Sequence, residues 1–204
     1  MKAMMRVVVL GLVLGCGTAV AAEPVRVQIV DLGSIEVQGA PAAERAARFF
    51  EKAEDLYLEY EAIEVRGTSE DQGKAIQKKW ALLQEIDAVY DRVVSLQEED
   101  WILAALAMRG ILWADLARTL EEAPVPPDLL DGSEFDEETM DLYREQIESH
   151  AMRFGDAAAE IWEGAMERAW SNGLSGPWVE VIESLLRDAG VLCFPPRERA
   201  AEAL

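Results

Sequence analysis

The chain carries one imidazole, His150, and two thiols, Cys16 and Cys193. A histidine-dependent triad needs His150 beside a nucleophile, and beyond the first residues only Cys193 and scattered Ser and Thr are on offer. His150 lies between Glu148 and Met152 in a helical pattern, where a satisfied or solvated histidine is the ordinary reading. Zinc needs His-x3-His or paired Cys spacing, and neither occurs. Carboxylates abound, but glycosidase-type acid/base work needs two of them from separate elements facing across a cleft, and nothing singles out a pair. The run Asp131-Gly132-Ser133-Glu134-Phe135-Asp136 places glycine second, where a calcium loop of the EF-hand order needs it sixth, so it reads as a solvated loop and helix cap. No glycine-rich phosphate loop follows a strand. These residues therefore name no catalytic group, no cofactor and no metal ligand.

The tryptophans point to binding instead. Trp80, Trp113 and Trp162 keep the spacing of apolar helix stripes and belong in a core, whereas Trp101, Trp170 and Trp178 fall at helix ends. There an aromatic ring stays partly exposed and can anchor a partner, so these three are the candidate partner-binding residues.

The elements that hold them follow from periodicity. Over residues 41–67, Ala46, Phe49, Phe50, Ala53, Leu56, Tyr57, Tyr60 and Ile63 recur three and four apart, the stripe of an amphipathic helix. Thr68 and Ser69, followed by Glu70 and Asp71, cap a second helix running to about residue 96, with Ile76, Trp80, Leu83, Ile86, Tyr90 and Val93 on one face. The short link predicts that it packs antiparallel to the first. A third helix over residues 101–120 is apolar nearly all round, the composition of the most buried member. Its Ala104, Ala107 and Gly110 form a small-residue strip that admits a close neighbour. Pro124, Pro126 and Pro127 end it, and the acidic residues 128–138 read as an exposed loop. A fourth helix over residues 136–170 carries Tyr143, Ile147, Ala151, Phe154, Ala158, Trp162, Ala165 and Ala169, with Gly155 as a place to bend. Pro177 opens a last short one with Trp178, Val181, Ile182, Leu185 and Leu186 as its expected buried face. The fold class is all-α, preceded by a short strand-like or hairpin segment within residues 23–40, and residues 189–204 are expected to fray.

With 204 residues, half of them apolar, the chain has the material for one domain with a sizeable core. Its net charge of −20 argues against nucleic acid, which demands a basic surface to replace phosphate counterions. A basic partner is steered toward such a protein. Residues 1–22 read as an export signal: Lys2 and Arg6, an apolar run too short to span a bilayer, then small residues. Two processing routes stand open. Ala19-Val20-Ala21 suits cleavage of the small-x-small kind, and Val13-Leu14-Gly15-Cys16 resembles a lipobox in which Cys16 is the lipid attachment point. Either route sends the protein to the periplasm, in the second case anchored to the outer membrane through its lipid alone. Cleavage after Ala22 leaves 17 basic against 39 acidic residues, a charge of −22, and one thiol, so no intramolecular disulfide.

Ala158, Trp162, Ala165 and Ala169 reproduce the A-x3-F-x2-A spacing of a tetratricopeptide second helix, with Trp as the aromatic. Three longer stretches widen the likeness: Ala88-Val89-Tyr90-Asp91-Arg92-Val93-Val94 leading to Trp101 and Ala104; Met108-Arg109-Gly110 leading to Leu120 and Ala123-Pro124-Val125-Pro126; and Leu142-Tyr143-Arg144-Glu145-Gln146 leading to Ala169 and Trp178. In this order they resemble the terminal helical module of tetratricopeptide-like envelope proteins of myxobacteria and relatives, scaffolds linked to gliding motility. The acidic insertion at residues 131–136 departs from that pattern. The resemblance implies antiparallel tetratricopeptide-like hairpins over residues 41–188 and a non-enzymatic scaffold or adaptor whose partners are envelope proteins. The competing expectation is a small envelope enzyme, a carboxylate-dependent hydrolase on a helical scaffold.

Overall fold

The computed structural model describes residues 41–130 and 137–189, with side chains from Met140 onward in the second stretch. Among the described residues the chain is all-α, with no strand: α1 (Ala42–Glu61), α2 (Ser69–Ser95), α3 (Glu99–Glu121), α4 (Pro127–Leu130), α5 (Glu137–Ser171) and α6 (Pro177–Asp188). The expected strand-like segment, the leader with Cys16, Cys193, the acidic residues 131–136 and the tail lie outside the described residues.

Local chemistry sets the boundaries. At α2 the Thr68 side chain accepts from the Asp71 backbone N–H while the Asp71 carboxylate accepts from the Thr68 N–H, a capping box of the kind that contributes about 1 kcal/mol. Ahead of it the chain leaves α1 at Glu61, earlier than the periodicity suggests. Residues 63–66 run without helical bonding, Val65 is buried, and Gly67 takes φ +93° to turn the backbone into the cap. At its far end α5 closes in a Schellman motif, Leu174 N–H to Ala169 O at 2.8 Å and Gly173 N–H to Trp170 O at 3.1 Å, with Gly173 in the left-handed region. Pro177 then supplies the first residue of α6.

Two expectations need correction. Residues 128–138 are not all loop, because Pro127–Leu130 forms the short α4. Its Asp128 carboxylate accepts from the Ser69 backbone N–H at 2.8 Å and from the Ser69 hydroxyl, which pins this turn to the start of α2. In α6, Val179 and not Val181 joins Ile182 and Leu186 in the core, and Val181 stays exposed, since positions 179, 182 and 186 keep the helical spacing toward α3 and α5.

Contacts across the bundle show that successive long helices run antiparallel. Phe50 meets Tyr90 and Tyr60 meets Lys79 between α1 and α2; Arg109 meets Asp87 and Trp113 meets Trp80 between α2 and α3; Arg168 meets Glu99 between α3 and α5. The α3–α5 interface is the most extensive, and α3 also touches α1, α2 and α6, the central position its composition predicts. The small-residue strip explains the close approach. Trp162 of α5 lies on Gly110, where an added Cβ would stand 2.0 Å from the indole nitrogen, and that N–H donates to the Ala107 carbonyl at 3.1 Å. The fully apolar seam continues through Ala104, Ala158, Ala165 and Ala169, all buried. Helix α5 runs on through Gly155 without interruption.

Candidate functional site

Two regions combine side chains of functional type. At one end of the bundle, Trp101 sits in the first turn of α3 and Trp178 in the first turn of α6, and both pack on Phe50 of α1. Ring centroids are 5.5 Å apart for Phe50–Trp101 and 6.4 Å for Phe50–Trp178, with Tyr90 against the same ring at 5.4 Å. Trp101 and Trp178 are half-buried. The last turn of α5 is held at this end by a fork of two hydrogen bonds, Arg168 Nε and Nη2 to the two Glu99 carboxylate oxygens, both 2.9 Å. Two residues further on, Trp170 is 51% exposed. The three tryptophans singled out by their helix-end positions thus share one end of the bundle: two gather about Phe50 and the third stands at the surface. Glu98, Asp100 and Glu180 on the first turns of α3 and α6 give that end an acidic border.

Of the other three tryptophans, Trp113 and Trp162 are buried as their spacing predicts, and Trp80 is half-buried against the core. Trp162 is 4% exposed in the α3–α5 seam. Trp80, Trp113 and Phe154 form a ring cluster with centroids 5.7 to 5.8 Å apart, tying α2, α3 and α5 together.

The second region lies where the end of α1, the start of α2 and the end of α3 meet. Lys79 is only 4% exposed, and its Nζ sits 3.9 Å above the centre of the Tyr60 ring. Among the described residues it has no ion pair or hydrogen bond. Burial therefore pushes the Lys79 ammonium below its ordinary range, against the attraction of the Asp115 and Glu61 carboxylates. The Tyr60 hydroxyl is also buried and makes no hydrogen bond of ordinary geometry among the described residues, with the Asp115 and Thr119 side chains as its nearest polar neighbours. Burial, with Asp115 adding to it, holds that phenol well above its usual titration range, and Tyr57, stacked on Tyr60 at 5.8 Å, is pushed up to about 12, by burial first and then by Asp115 and Glu61. Asp115 itself is paired with Arg118. Over Lys79 opens a cavity of about 190 Å³ lined by Ile63, Val65, Arg66, Glu64, Thr119, Glu122 and Pro124.

Helix-end reasoning brought out the tryptophans, but Lys79 escaped it, because a stripe traced through apolar residues alone passes over a lysine. The signal was present in the numbering. Gln72, Ile76, Lys79, Leu83, Ile86, Tyr90 and Val93 alternate four and three apart, so Gln72 and Lys79 occupy the apolar stripe, and both are buried. Gln72 meets its burial cost with Nε2 hydrogen bonds to the Pro124 carbonyl at 2.9 Å and the Gly67 carbonyl at 3.3 Å. Lys79 has only the face of a ring.

The remaining candidates carry little. His150 is half-buried and its imidazole titrates below the ordinary value, through burial first and the Arg153 charge second. Among the described residues no group of His, Cys, Asp and Glu is arranged to hold a metal ion, and no helix is long and apolar enough to cross a membrane. Comparison with protein-family models, with curated proteins and with solved structures finds no match to the chain.

Proposed function

We propose that the chain is a non-enzymatic adaptor or scaffold of the bacterial cell envelope, a tetratricopeptide-like set of antiparallel hairpins whose aromatic end receives a partner peptide or helix. The observation that carries this reading is the placement of Trp101 and Trp178 about Phe50 with Trp170 exposed at the same end, because partly exposed tryptophans on a rigid apolar base are the usual anchors of protein interfaces. The acidic border and the overall charge of −20 favour a partner segment that is basic. The likeness to myxobacterial envelope scaffolds and the export signal at residues 1–22 support a periplasmic setting, with Cys16 as lipid attachment to the outer membrane if the lipobox route operates.

The test is affinity capture from detergent-solubilised envelopes with the tagged mature chain, compared with its Trp170→Ala and Trp101→Ala variants. A defined set of envelope proteins that falls away with either variant and is released by salt supports the adaptor. Capture unchanged by both variants sinks the aromatic end as the binding surface.

A second reading, a carboxylate-dependent hydrolase, draws on Glu64 and Glu122, which both line the cavity over Lys79. It is the weaker one, because a general acid must be kept protonated by burial, and the Glu64 side chain is 71% exposed and beside Arg66 at 3.6 Å. Hydrolysis of a glycoside or ester panel that disappears in the Glu64→Gln, Glu122→Gln double variant would reverse this ranking.

A further inference from the structure

Lys79 is a nearly fully buried amine on the lining of a cavity, with no ion pair or hydrogen bond among the described residues, an arrangement the adaptor reading leaves unused. We propose that Lys79 is the nucleophile of a site that takes a small neutral carbonyl compound, an aldehyde or ketone of a few carbons, and holds it as an imine.

Three features of the cavity select that class of ligand. Its volume of about 190 Å³ suits a molecule of a few heavy atoms. Ile63, Val65 and Pro124 provide apolar walls for the carbon chain. Besides Lys79, the lining sets Glu64 and Glu122 against the single Arg66 on a chain of net charge −20, which disfavours an anionic ligand, so a neutral acceptor fits better than a carboxylate or phosphate. The Tyr60 ring fixes the position of Nζ, and desolvation, which outweighs the attraction of the Asp115 and Glu61 carboxylates, raises the share of neutral, nucleophilic amine. In the step itself the Nζ lone pair forms a bond to the carbonyl carbon, and the carbonyl oxygen leaves as water with the two amine protons. The product is a neutral imine, and nothing is oxidised or reduced.

The experiment uses the mature chain with propanal and cyanoborohydride near neutral pH, followed by peptide mapping of the alkylated lysines. Lys79 is expected to be labelled several-fold faster than Lys52, Lys74 and Lys78, of which the exposed neighbour Lys78 is the internal reference. A pyrene-sized aldehyde, too large for the cavity, is expected to lose that preference. Lys79→Arg keeps a cation over Tyr60 and should abolish the favoured adduct while the exposed lysines label as before. Labelling of Lys79 no faster than Lys78, or equal preference with the bulky aldehyde, overturns the proposal.

Discussion

The two ends of the bundle are built from the same helices and differ in what they bury. At the aromatic end the rings of Phe50, Tyr90, Trp101 and Trp178 fill the space between α1, α2, α3 and α6, and Arg168 is paired with Glu99. Two polar atoms there are buried without a hydrogen bond among the described residues, the Tyr90 hydroxyl and Arg45 Nε. At the other end a lysine, a phenol and a carboxylate lie within one small region, and neither the Lys79 ammonium nor the Tyr60 hydroxyl has a hydrogen bond of ordinary geometry among the described residues. Burying such groups unmatched costs free energy, on the order of 1 to 3 kcal/mol for a hydroxyl or amide and more for a charge. Both ends thus carry unmatched buried polar atoms; the aromatic end sets them beside packed rings with anchors at its rim, and the lysine end adds a nearly fully buried ammonium, the costlier group.

The sharpest way to break both ends at once is at the seam they share. Gly110→Ala places a Cβ on the Trp162 indole and removes the space that lets its N–H reach Ala107, so α3 and α5 must separate. The expected loss is about 3 kcal/mol, at the upper end of what overpacking a core usually costs. A large drop in the urea midpoint by circular dichroism is the readout. Gly164→Ala in the same α5, where an added Cβ meets nothing within 4 Å, should be stabilising by roughly 0.5 kcal/mol from backbone entropy alone. Equal behaviour of the two variants would remove the seam from the account.

Within the aromatic end, stability and binding should come apart. Trp178→Ala strips a half-buried ring from Phe50 and is expected to cost about 2 kcal/mol, below the range for a fully buried tryptophan. Trp170→Ala removes a ring that is 51% exposed and should cost less than about 1 kcal/mol, yet weaken partner capture at least as much. Paired urea titrations and capture assays on the two variants check this ordering.

This contrast also marks what could be read from the chain alone. Helix class and order were legible because Phe49, Ala53, Leu83, Ile86, Val93 and Leu116 keep a 3.6-residue period and are buried as that period requires. The place of Trp162 against Ala107 and Gly110 was half legible: the strip announced a close neighbour, but not which residue would fill it. Lys79 and the anchoring of Asp128 were not legible in the apolar pattern. The α2 stripe passes through Lys79, which such a pattern skips over, and Asp128, exposed as its acidic run suggests, is held by Ser69, a partner that only the tertiary fold brings near. Of the site residues, the tryptophans' helix-end positions were legible, while their meeting on Phe50 is a product of tertiary packing.

At the lysine end, removing the charge should help the fold. Lys79→Met keeps the stem and loses the buried ammonium, and is expected to stabilise by about 1 kcal/mol at neutral pH, the lost attraction to the Tyr60 face offsetting part of the gain. The pH dependence has a definite sign. Because the folded chain holds Lys79 below its ordinary titration range, the unfolded chain binds more protons between the two titrations, and wild-type stability rises with pH through that window. Tyr57, Tyr60 and Tyr90 act oppositely: raised in the folded state, chiefly by burial, they make stability fall once the unfolded phenols ionise above about pH 10. The groups facing Lys79 are Tyr60 and Glu61 from α1, Glu64 and Arg66 from the linker, and Asp115, Arg118 and Glu122 from α3. Urea midpoints across this range should show the alkaline rise in the wild type and not in Lys79→Met, while the tyrosine-driven fall remains in both.

The smallest effect concerns how the lysine end is fastened. Asp71 titrates below the usual carboxylate range because the Thr68 hydroxyl and backbone N–H donate to it, and Asp128 does so because the Ser69 hydroxyl and N–H donate to it. Folded carboxylates with lowered titration stabilise above their unfolded value near pH 4, and that contribution is lost as pH falls through the folded one. Both groups are exposed, so the change is modest, but it is confined to the start of α2 and to α4. Thr68→Ala should remove the Asp71 share together with about 1 kcal/mol of capping, and leave the Asp128 share in place. Hydrogen exchange at mildly acid pH locates the effect: faster exchange in the first turn of α2, with the first turn of α3 unaltered, is the expected pattern. Loosening of both ends together would mean that the bundle responds to acid as one unit and that the comparison drawn between them is not an energetic one.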